Sequence, residues 1–370
     1  MKLVITGGHH SSAIPVIDVF KKKYPEVEIY WVGHKHTLKN DKNETLEYKE
    51  ISSIGIPFFN LHAGKVYRTY NITRLIKVPL GVFQALYLLK KIKPDMILSF
   101  GGYLAVPVAL AGFILKIPCI THEQTTVVGY ANRVVSLLAK KILVSWLQSL
   151  SFFPKKKTIL TGIPLRNEIF KYSDENIKIN NRLPVIYITA GKTGSHFINN
   201  TVKEALPELL KICNIIHQCG DNSLYNDFDV INGYYANISG NLPGVYISRK
   251  FVFSNEIGEV YSKSSLVISR SGAHTISELL VLKKPCILIP IPWASHNEQY
   301  HNAKLVEEAG LGIIIEEKDI TSEYLVNKIS YVLNHISEYK VKDESILLSI
   351  KSNAADIIAD EVIKTYNEYK

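Results

Sequence analysis

Two short apolar runs in the second half of the chain constrain its fold most, because each breaks into a polar loop and then into a helical pattern. The first run, Leu266–Ser269, is rich in β-branched residues and is followed by Ser271-Gly272, and the second spans residues 285–290. Short apolar runs of this kind are typical of buried parallel strands. Strand, loop and helix in this order indicate an α/β domain whose ligands bind at the carboxyl ends of its strands.

The helix after the first run is predicted to begin near Ala273 and to bind phosphate, because the first N–H groups and the positive dipole end of a helix attract anions. Glu278 lies near the loop side of this helix, where a carboxylate accepts hydrogen bonds from ribose hydroxyls. A surface glutamate is the alternative. The loop at residues 292–299 is dense in hydrogen-bonding side chains, which suits a sugar. The expected donor contacts of the helix and its preceding turn are Ser271, Gly272, Ala273, His274, Thr275 and Glu278.

The sequence SRSGAHTISELLVLKKPCILIPIP, followed by NEQYHNA, closely resembles the C-terminal half-site of the MurG family. Members of that family transfer N-acetylglucosamine from UDP to a polyprenyl-linked peptidoglycan precursor. The resemblance implies an α/β fold of the GT-B type, with two Rossmann-like domains whose parallel sheets face each other across a cleft. It implies that Glu278 binds the ribose and that Glu298 and Gln299 contact the donor sugar. The family more often has Gln at the position of Glu298, so a different UDP-sugar is an alternative.

A second phosphate-like loop follows a predicted strand at residues 184–189. Its GKT sequence suggests a Walker A motif, but Ile186 occupies the position of a required glycine, so a P-loop is excluded. The loop resembles the family's GGSQGA, and its backbone N–H groups and its lysine are expected to bind the donor diphosphate without a metal. The residues concerned are Lys192, Thr193, Gly194 and Ser195.

Two further segments are assigned to the donor by the resemblance. Residues 162–166, GIPLR, resemble the family's GNPVR at the domain junction. Arg166 is expected to reach the base or the phosphates, and a solvent-exposed arginine is the alternative. The uracil is expected to lie against the backbone of residues 249–253, which include Phe251.

The N-terminus repeats the pattern of strand, loop and helix. Strand Lys2–Thr6 precedes a polar loop at residues 7–12 and a predicted helix at residues 13–23. The loop contains no GxGxxG and is not a dinucleotide fingerprint. It resembles the family's GGTGGH loop, in which Gly7 and Gly8 would contact the acceptor.

Counted back from Pro15, Ser12 occupies the family's histidine position, and His9 and His10 stand at threonine and glycine positions. Inverting sugar transfer needs a base for the attacking hydroxyl, and imidazole is suited to this role at neutral pH. We therefore predict that His10, or otherwise His9, supplies the base from a shifted place in the loop. The alternative is that both histidines only donate hydrogen bonds.

Polar residues also follow two other predicted strands of the N-terminal half. Gly101-Gly102-Tyr103 resembles the family's GGY, which implies that Gly102 and Tyr103 bind the acceptor. The sequence HEQT after a predicted strand at residues 118–121 resembles HEQN, with Thr125 at the position of an asparagine that faces the donor sugar. Asn132 matches a second family asparagine. The expected roles here are catalysis for Glu123, acceptor binding for His122 and Gln124, and donor binding for Thr125 and Asn132.

Composition limits the classes of partner. With 370 residues, 46% of them apolar and 21% charged, the chain suits two globular domains. A net charge of +9 favours anionic partners such as a nucleotide sugar or an anionic membrane surface. Nucleic acid is not expected, because zinc-finger spacing, RNP-like aromatic motifs and arginine-rich helices are missing from the sequence. An apolar pattern with basic flanks at residues 71–91 suits either membrane contact or core packing.

The four cysteines and the apolar segments bear on location. The cysteines lie in or beside apolar runs without metal-ligand spacing, which predicts buried free thiols in a reducing compartment. The N-terminal apolar run is too short for a signal peptide. Residues 103–120 contain Pro107 and Lys116, so a buried helix and a strand are expected rather than a membrane span. These features predict a cytoplasmic protein, and the family resemblance implies that it is peripheral on the inner face of the cell membrane.

The resulting hypothesis is an inverting, metal-independent transferase that moves N-acetylglucosamine from UDP-GlcNAc to lipid I, the polyprenyl-pyrophosphate-linked acceptor, without any cofactor. Residues 1–163 are expected to form the acceptor domain, residues 164–345 the UDP-sugar domain, and residues 346–370 a helix that returns to the first domain.

The alternatives are a related transferase with another UDP-sugar or acceptor, and a noncatalytic sugar-nucleotide-binding subunit. A sugar-nucleotide epimerase shares the fold but is disfavoured. The sequence gives no indication of the oligomeric state.

Overall fold

The computed structural model describes residues 1–36, 44–62, 72–174, 176–191, 193–222, 224–294 and 297–370, except for the side chains of residues 72–78. The chain divides into two compact units. Unit 1 comprises Met1–Leu165 and Leu348–Lys370, and unit 2 comprises Arg166–Leu347.

Unit 1 is built on a parallel sheet. Its strands are β1 (Lys2–Thr6), β2 (Glu28–Gly33), β3 (Phe58–Asn60), β4 (Met96–Ser99), β5 (Cys119–Glu123), β6 (Lys141–Val144) and β7 (Thr158–Leu160). The spatial order is β3-β2-β1-β4-β5-β6-β7, and all paired strands are parallel. The order reverses between β1 and β4, so the loops after these strands lie at a topological switch point.

Within the described part of unit 1, α-helices connect these strands. They are α1 (His10–Lys23), α2 (Leu46–Ser53), α3 (Ile72–Ile92), α4 (Ala105–Ile114) and α5 (Tyr130–Leu138). Helix α2 is not among the predicted elements, and it begins after Thr45, whose hydroxyl caps the N–H of Tyr48. Helix α1 begins three residues earlier than predicted. Its first turn closes tightly, with the Ser12 N–H donating to the His9 carbonyl at 3.1 Å.

Unit 2 contains a second parallel sheet. Its strands are β8 (Val185–Thr189), β9 (Asn214–Gln218), β10 (Tyr246–Arg249), β11 (Leu266–Ser269), β12 (Cys286–Leu288) and β13 (Gly312–Ile314). The order β10-β9-β8-β11-β12-β13 reverses between β8 and β11, and every pairing is parallel. The loops after β8 and β11 therefore meet at the switch point of this unit. The prediction of two Rossmann-like α/β domains is confirmed.

The helices of unit 2 cover both faces of its sheet, as parallel strands require. They are α6 (His196–Leu209), α7 (Asp227–Ile238), α8 (Ile257–Lys263), α9 (Ala273–Val281), α10 (Glu298–Glu308) and α11 (Ser322–Asn334). The core between sheet and helices consists of fully buried aliphatic side chains such as Ile188, Val202, Leu206 and Ile268.

The last helix, α12 (Ala354–Tyr369), belongs to unit 1 and packs against α1. Ile358 and Val362 are fully buried in the same core cluster as Leu3 and Phe20. The helix is shorter than the predicted 346–370. The residues before it are held by unit 1 instead, because the Lys351 ammonium donates to the Leu160 carbonyl at 2.7 Å.

None of the helices in the described part of the chain is long and apolar enough to cross a membrane. The four cysteines are buried, as predicted. Residues 103–120 form α4 and part of β5, which confirms the predicted division into a helix and a strand.

Candidate functional site

Glycines bring two loops of unit 1 into backbone contact at the switch point. The Gly8 N–H donates to the Gly101 carbonyl at 3.0 Å. Gly7 has φ +138°, and a Cβ there would lie 2.8 Å from that carbonyl oxygen, while a Cβ on Gly102 would lie 2.9 Å from the Gly8 nitrogen. These positions therefore exclude side chains for reasons of packing, and the predicted acceptor contacts of Gly7, Gly8 and Gly102 stay predictions.

The side chain of Gln124 joins the end of β5 to the first loop. Its Oε1 accepts a hydrogen bond from the Ser12 hydroxyl at 2.7 Å, and its Nε2 lies 2.7 Å from His9 Nδ1. Ser12 and Gln124 are buried, and His9 is partly buried. Burial, with a smaller contribution from the neighbouring charge of His10, lowers the pKa of His9 to about 4. His9 is thus neutral at physiological pH.

His10 contacts an acidic residue of α2, Glu50, that the sequence analysis missed. Its Nε2 lies 2.9 Å from Glu50 Oε2. Glu47 stands one helical turn earlier and accepts a hydrogen bond from the Trp31 indole at 2.7 Å. Burial raises the pKa of Glu47, and the charge of His10 opposes this effect. A carboxylate beside an imidazole is the arrangement that orients a general base.

Glu123, Thr125 and Asn132 contact one another. Glu123 is 3% exposed and lies in β5 rather than in the predicted loop. Its carboxylate accepts from Asn132 Nδ2 at 2.8 Å and from the Thr125 N–H at 3.0 Å. The Thr125 hydroxyl lies 2.7 Å from both Glu123 Oε1 and the Val127 carbonyl. Burial raises the pKa of Glu123, and these hydrogen bonds oppose the rise. The structure therefore uses this group to fix the end of β5, and its substrate contacts stay predictions.

His122 and Tyr103 occupy enclosed positions near this edge. His122, also in β5, is buried, and its Nε2 lies 3.1 Å from the Gly162 carbonyl and 3.2 Å from the Ser145 hydroxyl. Burial lowers the pKa of His122 to about 4. Tyr103 makes an edge-on contact with the His34 ring, with 6.2 Å between centroids. Acceptor binding by His122 and Tyr103 stays a prediction.

In unit 2, the loop after β8 is shaped by a close backbone approach. Gly194 has φ +70°, and a Cβ there would lie only 1.9 Å from the Cys219 carbonyl oxygen. Ser195 caps α6 by accepting from the Ile198 N–H at 3.5 Å. Thr193, Gly194 and Ser195 therefore lie just before the positive end of α6, where the sequence analysis expected a diphosphate. Lys192 lies outside the described residues.

Arg270 ties this loop to two others, a role that the sequence analysis did not find. Its guanidinium donates to the Ser195 hydroxyl at 2.9 Å and to the Ile289 carbonyl at 3.2 Å, and it lies 2.5 Å from the Glu317 carboxylate. Arg270 follows β11 directly and is buried. The sequence signal for this role is an arginine directly after a buried strand, because a buried guanidinium needs fixed acceptors to pair with.

The turn into α9 is held by Gln299. Its Oε1 accepts from the Ser271 N–H at 3.3 Å and from the Ile291 N–H at 3.1 Å, and its backbone carbonyl accepts from the Ser271 hydroxyl at 2.7 Å. Gly272 is the N-cap of α9, so the N–H groups of Ala273, His274 and Thr275 form its first turn.

The side-chain oxygen of Gln299 is therefore engaged with backbone, and only its amide nitrogen is left for the predicted contact with a sugar. Glu298 is the first residue of α10 and is partly buried. A cavity of about 490 Å³ opens beside this helix, lined in part by Pro290, Pro292 and Tyr300. It adjoins the loop that the sequence analysis assigned to the donor sugar.

Glu278 is 4% exposed and binds Arg166 and Tyr261. Arg166 donates from Nε to Glu278 Oε1 at 2.8 Å and from Nη2 to Oε2 at 3.1 Å, and the Tyr261 hydroxyl donates to Oε2 at 2.8 Å. Burial opposes the charge on Arg166, but the Glu278 carboxylate outweighs this effect and raises the pKa of the guanidinium. A carboxylate offers about four acceptor positions. Arg166 and Tyr261 occupy three of these positions. Glu278 can therefore accept hydrogen bonds from two ribose hydroxyls only if one of these partners moves.

The segment expected to bind uracil is connected to the phosphate loop by Gln218. Its Oε1 accepts from the Val252 N–H at 3.0 Å, and its Nε2 donates to the Gly191 carbonyl at 2.8 Å. Phe251 is partly buried beside Phe253, with 6.3 Å between ring centroids. The loops after β8, β9 and β10 are thus joined at one sheet edge, which is where a nucleotide binds in such folds.

Comparisons with known families agree along both units. Residues 5–144 match the N-terminal domain of glycosyltransferase family 28, and residues 185–360 match its C-terminal domain. The UDP-N-acetylglucosamine–N-acetylmuramyl-(pentapeptide) pyrophosphoryl-undecaprenol N-acetylglucosamine transferase of Clostridium kluyveri is 32% identical over 100% of this chain and 99% of its own length. The enzyme of the same name from Clostridium tetani is 31% identical over 99% of this chain and 98% of its own length.

Solved structures show the same fold. The crystal structure of MurG from Acinetobacter baumannii superposes with a TM-score of 0.72 at 22% identity, covering 98% of this chain and 99% of the other. UDP-GlcNAc 2-epimerase from Neisseria meningitidis, bound to UDP-GlcNAc, superposes with a TM-score of 0.64 at 17% identity, covering 98% and 100%. These likenesses agree with the predicted GT-B fold class, which transferases and epimerases share.

Proposed function

Because the chain belongs to the MurG family of glycosyltransferases, within glycosyltransferase family 28, we propose that it transfers N-acetylglucosamine from UDP to lipid I. The observation that carries the proposal is the match to relatives of that name along the entire chain. The proposal assigns the UDP-sugar to unit 2 and the polyprenyl-pyrophosphate-linked acceptor to unit 1. The strand-end loops of the two sheets supply the contacts.

The donor diphosphate is assigned to the first turns of α6 and α9. Both helices begin at the switch point of unit 2 and direct unpaired backbone N–H groups toward the loop edge. These donors stabilise the charge that develops on UDP as the bond to the anomeric carbon breaks. Arg270 keeps the two helix ends together through Ser195. Such an arrangement supports the metal-independent reaction implied by the family.

The attacking hydroxyl of the acceptor is assigned to His10. In a single displacement the hydroxyl oxygen bonds to the anomeric carbon, UDP leaves from the opposite side, and the configuration inverts. The hydroxyl proton passes to the imidazole, whose positive charge Glu50 then stabilises at 2.9 Å. This carboxylate partner favours His10 over His9, whose pKa of about 4 makes it a weak base.

The assay that tests the function uses radiolabelled UDP-N-acetylglucosamine with lipid I, beside UDP-glucose and UDP-galactose, in buffer containing EDTA. We expect incorporation from UDP-N-acetylglucosamine alone and no loss of rate from the chelator. Incorporation from only one of the other sugars would favour a different donor, which Thr125 and Glu298 keep open as an alternative. UDP binding without turnover on any acceptor would instead indicate a noncatalytic subunit.

An exposed apolar surface on unit 1 supports attachment to a membrane, where a polyprenyl-linked acceptor is found. Helix α4 packs against both α3 and α5. Exposed apolar side chains recur at helical spacing on α3 and α5, and two adjacent ones lie at the end of α4. They are Leu80, Phe83 and Tyr87 on α3, Phe113 and Ile114 on α4, and Tyr130, Val134 and Leu137 on α5. Lys90, Lys91, Lys116 and Arg133 are exposed on or beside these helices. We propose that this apolar surface rests on the anionic inner face of the cell membrane.

Introducing charge into this surface is expected to weaken membrane binding. Phe83 is 69% exposed and Leu137 80% exposed. The double variant Phe83→Glu/Leu137→Glu should bind vesicles of anionic phospholipid about 10²- to 10⁴-fold more weakly, because burial of each of the two side chains contributes roughly 1.5–3 kcal/mol. Co-sedimentation measures the effect. Leu224→Glu is the matched control, since Leu224 is 79% exposed in unit 2. An equal loss in the control would argue against a localised surface.

A further inference from the structure

Ser12, Gln124 and His9 form a continuous chain of hydrogen bonds inside unit 1. The Ser12 hydroxyl lies 2.7 Å from Gln124 Oε1, and Gln124 Nε2 lies 2.7 Å from His9 Nδ1. Ser12 is fully buried, so its hydroxyl needs a partner within the protein. An amide oxygen only accepts hydrogen bonds and an amide nitrogen only donates them. The chain therefore has a direction, from Ser12 through Gln124 to His9.

This direction fixes the position of the proton on His9. A ring nitrogen that accepts a hydrogen bond carries a lone pair, so in a neutral imidazole the single proton resides on the other nitrogen. Nδ1 accepts from Gln124, and the proton is therefore on Nε2. Within the part of the chain that the structure describes, no residue is hydrogen-bonded to His9 Nε2.

We propose that Ser12 and Gln124 are positioning residues that lock His9 in the Nε2–H tautomer, so that His9 serves as a neutral hydrogen-bond donor to an oxygen of the bound acceptor. The use of this donor rests on the proposed function, whereas the tautomer does not. His9 and His10 therefore have different roles. His10 takes the proton of the attacking hydroxyl, whereas His9 keeps its own proton and donates a hydrogen bond.

Burial and neighbouring contacts keep the arrangement in place. The low pKa of His9, about 4, keeps the ring neutral. The Gln124 carbonyl accepts from the Trp146 indole at 3.0 Å, and the next carbonyl, that of Thr125, accepts from the Ser149 hydroxyl at 2.8 Å. Both donors are buried. The backbone that carries the Gln124 side chain is thus held on both sides of the residue.

The chain of hydrogen bonds also connects two departures from the family pattern. Ser12 occupies the family's histidine position and His9 a threonine position, and the two side chains meet the two ends of a single amide. A hydroxyl at residue 12 suits this geometry because it donates to the amide oxygen over a short distance. The two substitutions therefore act together rather than separately.

The test reads the tautomer of His9 directly, in protein labelled with nitrogen-15 at histidine and without substrate. Two-bond proton–nitrogen correlations distinguish an Nε2–H ring from an Nδ1–H ring. The signals of His9 are identified as the set that disappears in the His9→Gln variant. We expect Nε2–H in the natural protein. In Gln124→Glu the carboxylate only accepts hydrogen bonds, so the ring is expected to change to Nδ1–H. Gln84→Glu is the matched control, since the Gln84 amide donates to the Asn60 carbonyl elsewhere in unit 1.

An Nδ1–H ring of His9 in the natural protein would overturn the proposal. It would also be overturned if Gln124→Glu unfolds at the same temperature as the natural protein and its His9 ring still carries the proton on Nε2. Turnover separates this outcome from a failure of the proposed function. In an active enzyme, Gln124→Glu should lower kcat about 3- to 10-fold, the effect of one misdirected neutral hydrogen bond, with the KM for UDP-N-acetylglucosamine unchanged. If the Nε2–H signal is present but the protein has no transferase activity, the proposed tautomer of His9 is supported and the proposed function is rejected.

Discussion

Replacing His10 with alanine is expected to lower kcat for sugar transfer by about 10²- to 10⁴-fold, the usual contribution of a positioned general base. The Glu50 carboxylate lies 2.9 Å from His10 Nε2, so it is expected to stabilise the imidazolium that forms. Glu50→Gln retains the shape of the side chain but removes its charge, so a smaller loss in the same direction is expected. Both changes lie in unit 1, so the KM for UDP-N-acetylglucosamine should change little.

Initial rates with saturating UDP-N-acetylglucosamine and lipid I provide the measurement, and calorimetric binding of UDP confirms that unit 2 is intact. His335→Ala is the control, because His335 lies at the end of α11 in unit 2 and contacts the Tyr331 carbonyl at 2.8 Å. Full turnover in both His10→Ala and His9→Ala would show that neither imidazole takes part in proton transfer. A loss confined to His9→Ala would reject His10 as the base.

Strands were predicted well because their signal is local. A parallel strand covered on both faces is a short, nearly continuous apolar run, and β1 at Lys2–Thr6 and β11 at Leu266–Ser269 match their predicted bounds. The predicted end of β5 was two residues too early, because His122 and Glu123 are polar yet buried. Polarity alone did not reveal that hydrogen bonds from other loops satisfy them.

Helices with weak apolar patterns were missed for a related reason. Helix α7, DFDVINGYYANI, contains Gly233 and asparagines of low helix propensity, and packing against α6 and β10 stabilises it. Helix α2 was also missed, because its charged residues interrupt the apolar periodicity that indicates a helix. The signal that could have found it is Thr45, an N-cap residue, with Glu47 in the first turn.

The residues of the candidate site were easier to predict than their partners. Gln299, Arg166 and Glu278 were selected from motifs, but the structure shows that Gln299 holds backbone N–H groups and that Arg166 pairs with Glu278. These partners are far apart in sequence and come together only through the order of the strands. A motif shows which functional groups are available. The fold determines which of these groups are already paired with each other in the absence of substrate.

Replacing Glu278 with alanine is expected to lower the free energy of unfolding by about 3 kcal/mol, the lower end of the range for breaking a buried ion pair. The lower end applies because Arg166 is 36% exposed and regains some hydration, whereas the Glu278 side chain is 6% exposed. Tyr261, which is buried, also loses its hydrogen-bond acceptor. Urea unfolding followed by circular dichroism measures the change. Affinity for UDP should fall about 10- to 150-fold, since one hydrogen bond to a charged group contributes roughly 1.5–3 kcal/mol.

The double variant Arg166→Met/Glu278→Leu separates the two effects. Removing both charges leaves no unpaired ion, so most of the lost stability should return. Affinity for UDP should stay low, because the acceptor for a ribose hydroxyl is still missing. Recovery of both stability and UDP affinity in the double variant would show that Glu278 serves only to pair Arg166. A Glu278→Ala protein of unchanged stability and reduced affinity would instead show that the ion pair contributes nothing to the fold and that the carboxylate is retained for the nucleotide.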